Sequence, residues 1–267
     1  MINYQALCEQ VIEIAKKAGQ FIGTESAIFS SSKIEYKGLN DMVSYVDKTA
    51  EAMIVEALSQ LLPAAGFIAE EGTSNKVGEE FNWIIDPLDG TTNFIHGIPA
   101  FAVSIALKQY DELVVGVVYE VKQNECFYAW KNSKAYLNGN EIRVSDNKDL
   151  ASSLVATGFP YYDFSRQDDY MSLFTTVMQK CHGLRRIGAA SVDMVYTACG
   201  RFDAYFEYNL KPWDIAAGLL IVQQAGGEYF DFNGGKKALE SGDIVATNGK
   251  VSEELNAIIH NVFNNKA

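Results

Sequence analysis

Apolar residues recur at three- and four-residue steps from the start of the chain, at Tyr4, Leu7, Cys8, Val11, Ile14, Ala15, Ala18, Phe21 and Ile22, a spacing that predicts an amphipathic helix. A second helix is predicted from about Thr49 to Leu62, with Ala50, Met53, Ile54, Ala57, Leu58 and Leu61 on one face and Pro63 and Gly66 ending it. Between the two lies a polar stretch, Ser30 to Asp47. Two short apolar runs follow, Phe67-Ile68-Ala69 and Trp83-Ile84-Ile85, and each ends in acid, Glu70-Glu71 and Asp86. They read as buried strands that deliver carboxylates at their carboxyl ends.

From Phe101 to Trp130 the pattern is a meander of three strands, with polar turns at residues 109–112 and 122–124. Asn138-Gly139 suits a tight hairpin turn, and the stretch from Asp146 to Ala151 is the softest point for a boundary between lobes. The second half alternates. Strands are predicted at Leu154–Ala156, Ala204–Phe206, Tyr229–Phe232 and Ile244–Thr247. Helices are predicted at Tyr170–Gln179, Ala189–Ala198, Trp213–Ala225 and Glu253–Phe263. The sum is a mixed α/β chain with layered helices and sheets.

Composition narrows the function. The 267 residues carry 22 Lys+Arg against 34 Asp+Glu, a net charge of −12. Such a surface repels nucleic-acid backbones and anionic lipid, so non-specific nucleic-acid binding is not expected. No apolar run approaches the roughly 20 residues that a membrane span needs. The first twenty residues mix Glu9, Glu13, Lys16 and Lys17 with apolar positions and do not read as a secretion signal. Four scattered cysteines (Cys8, Cys126, Cys181, Cys199) with no C-x-x-C pair point to reduced thiols, and a cytoplasmic protein is expected.

The most informative segment is Trp83-Ile84-Ile85-Asp86-Pro87-Leu88-Asp89-Gly90-Thr91-Thr92-Asn93-Phe94. A buried strand carries Asp86 to its end, Pro87 and Gly90 force a turn, and two aspartates three residues apart enter one small volume. Carboxylates held that close repel unless a cation lies between them. Oxygen ligands without nearby His or Cys suit magnesium or manganese. Gly90-Thr91-Thr92 then reads as a helix start whose free N–H groups can take a phosphate. Alone, an Asp-x-x-Asp pair would more often be a strand end and a surface turn. The paired acids after a buried run, followed by a phosphate-ready helix start, favour a site.

The segment Asp86 to Asn93, with Glu70-Glu71 before it and Trp213-Asp214 after it, resembles the inositol monophosphatase family of magnesium-dependent, lithium-sensitive phosphatases. The likeness extends to residues 37–44 (Lys-Gly-Leu-Asn-Asp-Met-Val-Ser), to Gly188-Ala189-Ala190-Ser191, and to Glu207 six residues before Trp213. It implies an α/β (α+β) layered sandwich of alternating helix and sheet layers, as in inositol monophosphatase and fructose bisphosphatase. A single domain over residues 1–267 is expected, with lobes at roughly 1–150 and 151–267, usually in a homodimer. Two or three Mg2+ ions are implied, with Mn2+ as an alternative. The resemblance gives one ion to Glu70, Asp86 and the carbonyl of Leu88, and a second to Asp86, Asp89 and Asp214. Glu71 matches the motif but is not expected to be a ligand.

Thr91 and Asp47, with Glu70, are assigned to positioning a metal-activated water that attacks phosphorus in line. Asp47 also reads as the N-cap of the second helix. The substrate side implied by the resemblance comprises Asp89, Gly90, Thr91, Gly188, Ala189, Ala190, Glu207 and Asp214. Of Arg185 and Arg186, Arg185 is the one expected to reach the substrate, the alternative being a solvated face. Lys37 either neutralises the phosphate region or is a solvated loop lysine. Lys211 falls at the pocket rim, Trp213 packs to fix Asp214, and His96, His182 and His260 match no part of the motif. Ser44 stands where relatives more often have threonine and keeps the hydroxyl. The expected reaction is hydrolysis of a small phosphate monoester, first of all inositol monophosphate. Related substrates are 3′-phosphoadenosine nucleotides, fructose bisphosphate, histidinol phosphate or NADP, and the reading from another class is a metal-loaded regulatory binding protein.

Overall fold

A computed structural model describes residues 2–29, 34–38, 41–160 and 163–263. Asn3 caps the first helix, α1 (Tyr4–Ser26), by accepting the N–H of Ala6, an interaction worth about 1 kcal/mol. The polar stretch that follows holds a hairpin of β1 (Ile34–Gly38) and β2 (Asp41–Ser44). The side chain of Lys37 and residues 39 and 40 lie outside what is described.

Helix α2 (Tyr45–Leu61) starts earlier than the apolar spacing predicts, because Ser44 is its N-cap. The Ser44 hydroxyl accepts the N–H of Val46 at 3.1 Å, while Asp47 accepts the Ser44 N–H at 2.8 Å and its hydroxyl at 2.7 Å. Asp47 is therefore the third helical residue and closes a capping box, rather than being the cap itself.

The first sheet has seven strands in chain order: β3 (Gly66–Ala69), β4 (Phe81–Asp89), β5 (Ala102–Gln109), β6 (Glu112–Glu120), β7 (Glu125–Trp130), β8 (Ala135–Leu137) and β9 (Asn140–Ile142). Only β3 and β4 are parallel. β4 runs past the predicted Ile85 to Asp89, and its pairing with β5 is interrupted between Asp86 and Asp89. Pro87 has no N–H for the ladder, so the strand bulges there. A short helix, α3 (Thr91–Ile95), follows at once. The β8–β9 turn is Asn138-Gly139, both residues at positive φ (48° and 86°), the geometry of a primed hairpin turn.

Residues 143–153 lead into the second sheet. It is built from β10 (Leu154–Thr157), α4 (Gln167–Lys180), β11 (Gly183–Arg185), α5 (Ala190–Ala198), β12 (Ala204–Glu207), α6 (Pro212–Gln224), β13 (Glu228–Phe230), α7 (Ala238–Ser241), β14 (Ile244–Thr247) and α8 (Ser252–Phe263). The strand order is β11-β10-β12-β14-β13, with β10 parallel to both β11 and β12.

Period-two alternation sends the strands' side chains into three cores. Trp83, Ile85, Val103, Ile105 and Val117 pack with α1 and α2. Ile84, Ala106, Val118 and Phe127 face α5 and α6, which meet Tyr205, Ile244 and Ala246 of the second sheet on their other side. Val155, Phe206 and Val245 pack with α4 and α8. The chain is thus a layered α/β structure, helix–sheet–helix–sheet–helix. Within the middle layer α6 is apolar on every side from Ile215 to Val222, as a helix covered on both faces must be, while α5 buries Ser191, Asp193 and Thr197 among its apolar residues. No helix among the described residues is long and apolar enough to cross a membrane.

Candidate functional site

In both sheets the parallel strands set the site. β3 and β4 in the first sheet, and β10, β11 and β12 in the second, run the same way within their sheets. Residues at or just beyond their carboxyl ends line one cavity of about 480 Å3: Glu70, Asp86, Asp89, Gly158, Arg186 and Glu207. Ligand sites favour the carboxyl ends of parallel strands, where the loops diverge. Leu88, Gly90, Thr91, Gly188, Ala189, Ala190 and Asp214, all drawn from the sequence motifs, line the same cavity.

The acids are positioned one by one. The loop bearing Glu70 is tied to α2 by buried Glu51, which accepts the N–H groups of Glu71 and Thr73, both at 2.7 Å. Glu70 itself donates its N–H to Ile85 at 3.2 Å, across the β3–β4 pair. Asp86 Oδ1 accepts the N–H of Leu88 at 2.9 Å, a bond made within the bulge. Asp89 Oδ2 accepts the Ser191 N–H at 2.7 Å and the Ser191 hydroxyl. Asp214 Oδ2 accepts the N–H of Lys211 at 2.6 Å, at the start of α6. Gly90, at φ +89°, turns the chain so tightly that a Cβ there would lie 2.9 Å from the Ala100 carbonyl.

Burial pushes all four carboxyls up, and repulsion between acids adds to the rise at Glu70, Asp86 and Asp214. Glu70 is raised by burial and then by Asp214, and Asp86 by burial and then by Glu70, Asp89 and Asp214. Asp214 rises to about 7, through burial and then Asp89. Burial also raises Asp89, with the Ser191 hydrogen bonds pulling the other way. Among the described residues no three acids, histidines or cysteines are already closed around one point as a ready-made cage. The donor set nonetheless fits a hard divalent cation: recessed carboxylates that repel one another, the Leu88 carbonyl on the cavity wall, and no sulfur or imidazole among them.

Thr91 lines the cavity and Asp47 lies behind it, buried. The Thr91 hydroxyl is within donating distance of Asp47 Oδ1 at 3.1 Å and of the Leu88 carbonyl at 3.0 Å. With its proton directed to either acceptor, the hydroxyl oxygen is left to accept a hydrogen bond from a molecule in the cavity. Asp47 reaches the cavity only through Thr91. Glu71 does not line the cavity.

On the second-sheet side, Glu207 accepts the Tyr205 hydroxyl at 2.6 Å and is raised to about 8, by burial first, with the Tyr205 bond opposing and Asp214 adding to the rise. Gly158 lets β10 close on it, since a Cβ at 158 would fall 1.9–2.0 Å from the Glu207 carboxyl atoms. The expectation for the arginine pair is corrected. Arg185 ends β11 exposed, with its guanidinium on the Leu184 carbonyl, and does not line the cavity. Arg186, one residue beyond the strand, lines it and passes 5.8 Å from the Phe159 ring. Alternation sends neighbouring side chains to opposite sides, so only one member of the pair can face inward. Lys211 and Trp213 line the cavity; His96, exposed, ends α3.

Several residues were missed by sequence reasoning. Gly158, Phe159 and residues 208–210 form cavity wall, and the strand-end rule used for β4 points to the first two once applied to β10. Asp193 is buried on α5 with Oδ1 unpartnered among the described residues, and it is raised well above the carboxylate range by burial and then by Glu207 and Asp89. Asn93 donates to Ala100 at 2.7 Å and to Ile187 at 2.9 Å, tying the motif loop to the chain just before Gly188.

Known proteins share this arrangement along its length. A protein of Neisseria meningitidis serogroup B described as putative Nus factor SuhB is 46% identical over 246 residues, covering 92% of this chain and 94% of that one. An inositol-1-monophosphatase of Rhizobium meliloti is 39% identical over 255 residues, covering 95% and 96%. The crystal structure of the extragenic suppressor protein suhB from Bartonella henselae superposes with a TM-score of 0.89 at 38% identity, over 95% of this chain and 98% of that one. The model of the inositol monophosphatase family matches residues 3–264. Acids at converging strand ends, the layered sandwich around them and end-to-end likeness agree: the chain belongs to the inositol monophosphatase family.

Proposed function

We propose that this member of a metal-dependent phosphatase family hydrolyses inositol monophosphate to inositol and phosphate, with Mg2+ as its ion. One observation carries the reading: Glu70, Asp86, Asp89 and Asp214 share one cavity with Thr91 and Glu207. In this reading Glu70, Asp86 and the Leu88 carbonyl hold one cation, and Asp86, Asp89 and Asp214 a second. The cations supply neutralisation of the phosphoryl and leaving oxygens and activation of a water. Thr91, oriented by Asp47, accepts a hydrogen bond from the attacking water, and Glu70 lies beside it. The first-turn amides of α3 face the phosphate. Glu207 accepts hydroxyl hydrogen bonds from the polyol, the edge from Gly188 to Ala190 meets its ring, and Arg186 takes the place first given to Arg185.

The reading includes a cytoplasmic enzyme acting as a lithium-sensitive homodimer, with residues 1–267 as one domain whose lobes meet at the cavity. Rates over a panel of inositol monophosphate, 3′-phosphoadenosine nucleotide, fructose bisphosphate, histidinol phosphate and NADP, each with a magnesium titration, test it. Highest kcat/KM on the polyol ester supports inositol specificity; preference for another ester replaces it.

The second reading, a metal-loaded protein that works by binding a macromolecular partner, is favoured by the description of the Neisseria relative as a putative Nus factor. Rescue of a deletion phenotype by Asp86→Asn would support it. Failure of that rescue supports catalysis.

A further inference from the structure

Asp86 and Asp89 are three residues apart, yet they are oriented from different places. Asp86 takes its donor from Leu88, within the same bulge. Asp89 takes two donors from Ser191, 102 residues later: the N–H at 2.7 Å and the hydroxyl, both onto Oδ2. Ser191 is fully buried and stands in the first turn of α5. That helix begins on Ala189, which has no side-chain acceptor to offer its first turn. Asp89 supplies the acceptor that the local sequence lacks, and the amides of Ala190 and Val192 face the same carboxyl group.

A carboxylate is free to rotate about its Cβ–Cγ bond and to present either oxygen. Two donors converging on Oδ2 oppose that rotation and engage that oxygen. Partners of this kind, which touch a ligand and not the metal, fix ligand orientation and commonly change metal affinity by 10–100-fold when removed. We propose that Ser191 is a positioning residue for cation binding, holding Asp89 in one orientation and coupling cation loading to the docked start of α5. This rests on the reading that Asp89 holds a divalent cation. It adds that the affinity at that position is set from the far half of the chain, by the helix that also carries Ala190 to the cavity.

The test uses the full chain stripped of metal, as wild type, Ser191→Ala and Asp89→Asn. Each is titrated with magnesium chloride, and with manganese chloride in parallel, by calorimetry and by the rise in Tm on metal addition. Alanine fits the Ser191 site without overpacking, and the metal-free Tm reports any purely structural cost separately. The expected result is a midpoint raised about 10-fold in Ser191→Ala, kcat at saturating metal close to wild type, and binding lost at one position in Asp89→Asn. A Ser191→Ala midpoint at or below the wild-type value, with Asp89→Asn impaired, overturns the positioning role alone. Unchanged binding in Asp89→Asn overturns the cation assignment and the inference with it.

Discussion

The ends of β4 and β12 offer the same elements, a buried strand, a terminal acid and a helix start soon after, but they are built differently. At β4 the acids and the turn into α3 occupy one unbroken segment from Asp86 to Asn93, with both aspartates buried. At β12 the wall around Glu207 is assembled from pieces: Gly158 of the β10 end, Arg186 beyond β11, Ala189 before α5, and Asp214 in α6. The difference separates two tasks. A cation needs several oxygens within a few ångströms, and one bulged segment can deliver most of them. A substrate needs shape, which comes from elements that can each change without disturbing the others. On the proposed reading, chemistry and choice of substrate should therefore be separable by mutation.

Asp86→Asn strikes the β4 end hardest. Removing the acid shared by both proposed cation positions should cost on the order of 10³-fold or more in rate, about 4 kcal/mol of barrier. It should also abolish the metal-induced rise in Tm, while the metal-free protein stays folded and gains stability from the lost repulsion; paired melts with and without magnesium read both. Gly158→Ala probes the other region. Its Cβ would displace the Glu207 carboxyl, so kcat/KM should fall by about 100-fold with the metal midpoint unchanged. A shifted midpoint would show that the two regions are not separable.

The pH dependence comes next in size. Glu207, ordinarily near 4.5, is raised to about 8, and Asp214, ordinarily near 3.8, to about 7. The folded chain therefore holds protons that the unfolded chain has released. Their stabilising contribution is complete below the ordinary values and is lost as pH rises through about 7 and about 8. Metal-free protein should lose stability between pH 5 and pH 8, by at most about 1.4 kcal/mol per pH unit for each acid. Denaturant melts across that range check it, and Glu207→Gln should flatten the upper part of the slope. The smallest effect separates neighbours: Arg186→Ala should raise KM roughly 10-fold, about 1.4 kcal/mol, while Arg185→Ala should stay within about 0.5 kcal/mol of wild type.

The same contrast explains what could be read from the sequence. Apolar spacing located α1, because burial of one face imposes a period on consecutive residues, whereas α6 and the strands of the meander, buried on all sides, were legible as continuous apolar runs closed by Gly226-Gly227 and by polar turns. The acids at β4 were legible because they are contiguous. Less was visible where the determinant is three-dimensional. The start of α2 at Ser44 depends on a hydroxyl and a carboxylate bonding to each other, while apolar spacing begins only at Ala50. β11 has three residues and no pattern to detect, so which of Arg185 and Arg186 turns inward could not be read. Gly158 matters only because Glu207, far along the chain, occupies the space where its side chain would be.

The middle layer bears on how the chain is made. Synthesis delivers β3 to β9 first, and the inner face of that sheet, with Ile84, Ala106, Val118 and Phe127, has no cover until α5 and α6 follow. A ribosome releasing roughly 5–20 residues per second leaves that apolar surface waiting for several seconds, until Gln224 has emerged. The acids gather over the same interval, Asp89 before Ser191 and Asp86 before Asp214. The nascent chain thus passes through a period in which its stickiest surface is uncovered, an exposure that the finished sandwich no longer reveals.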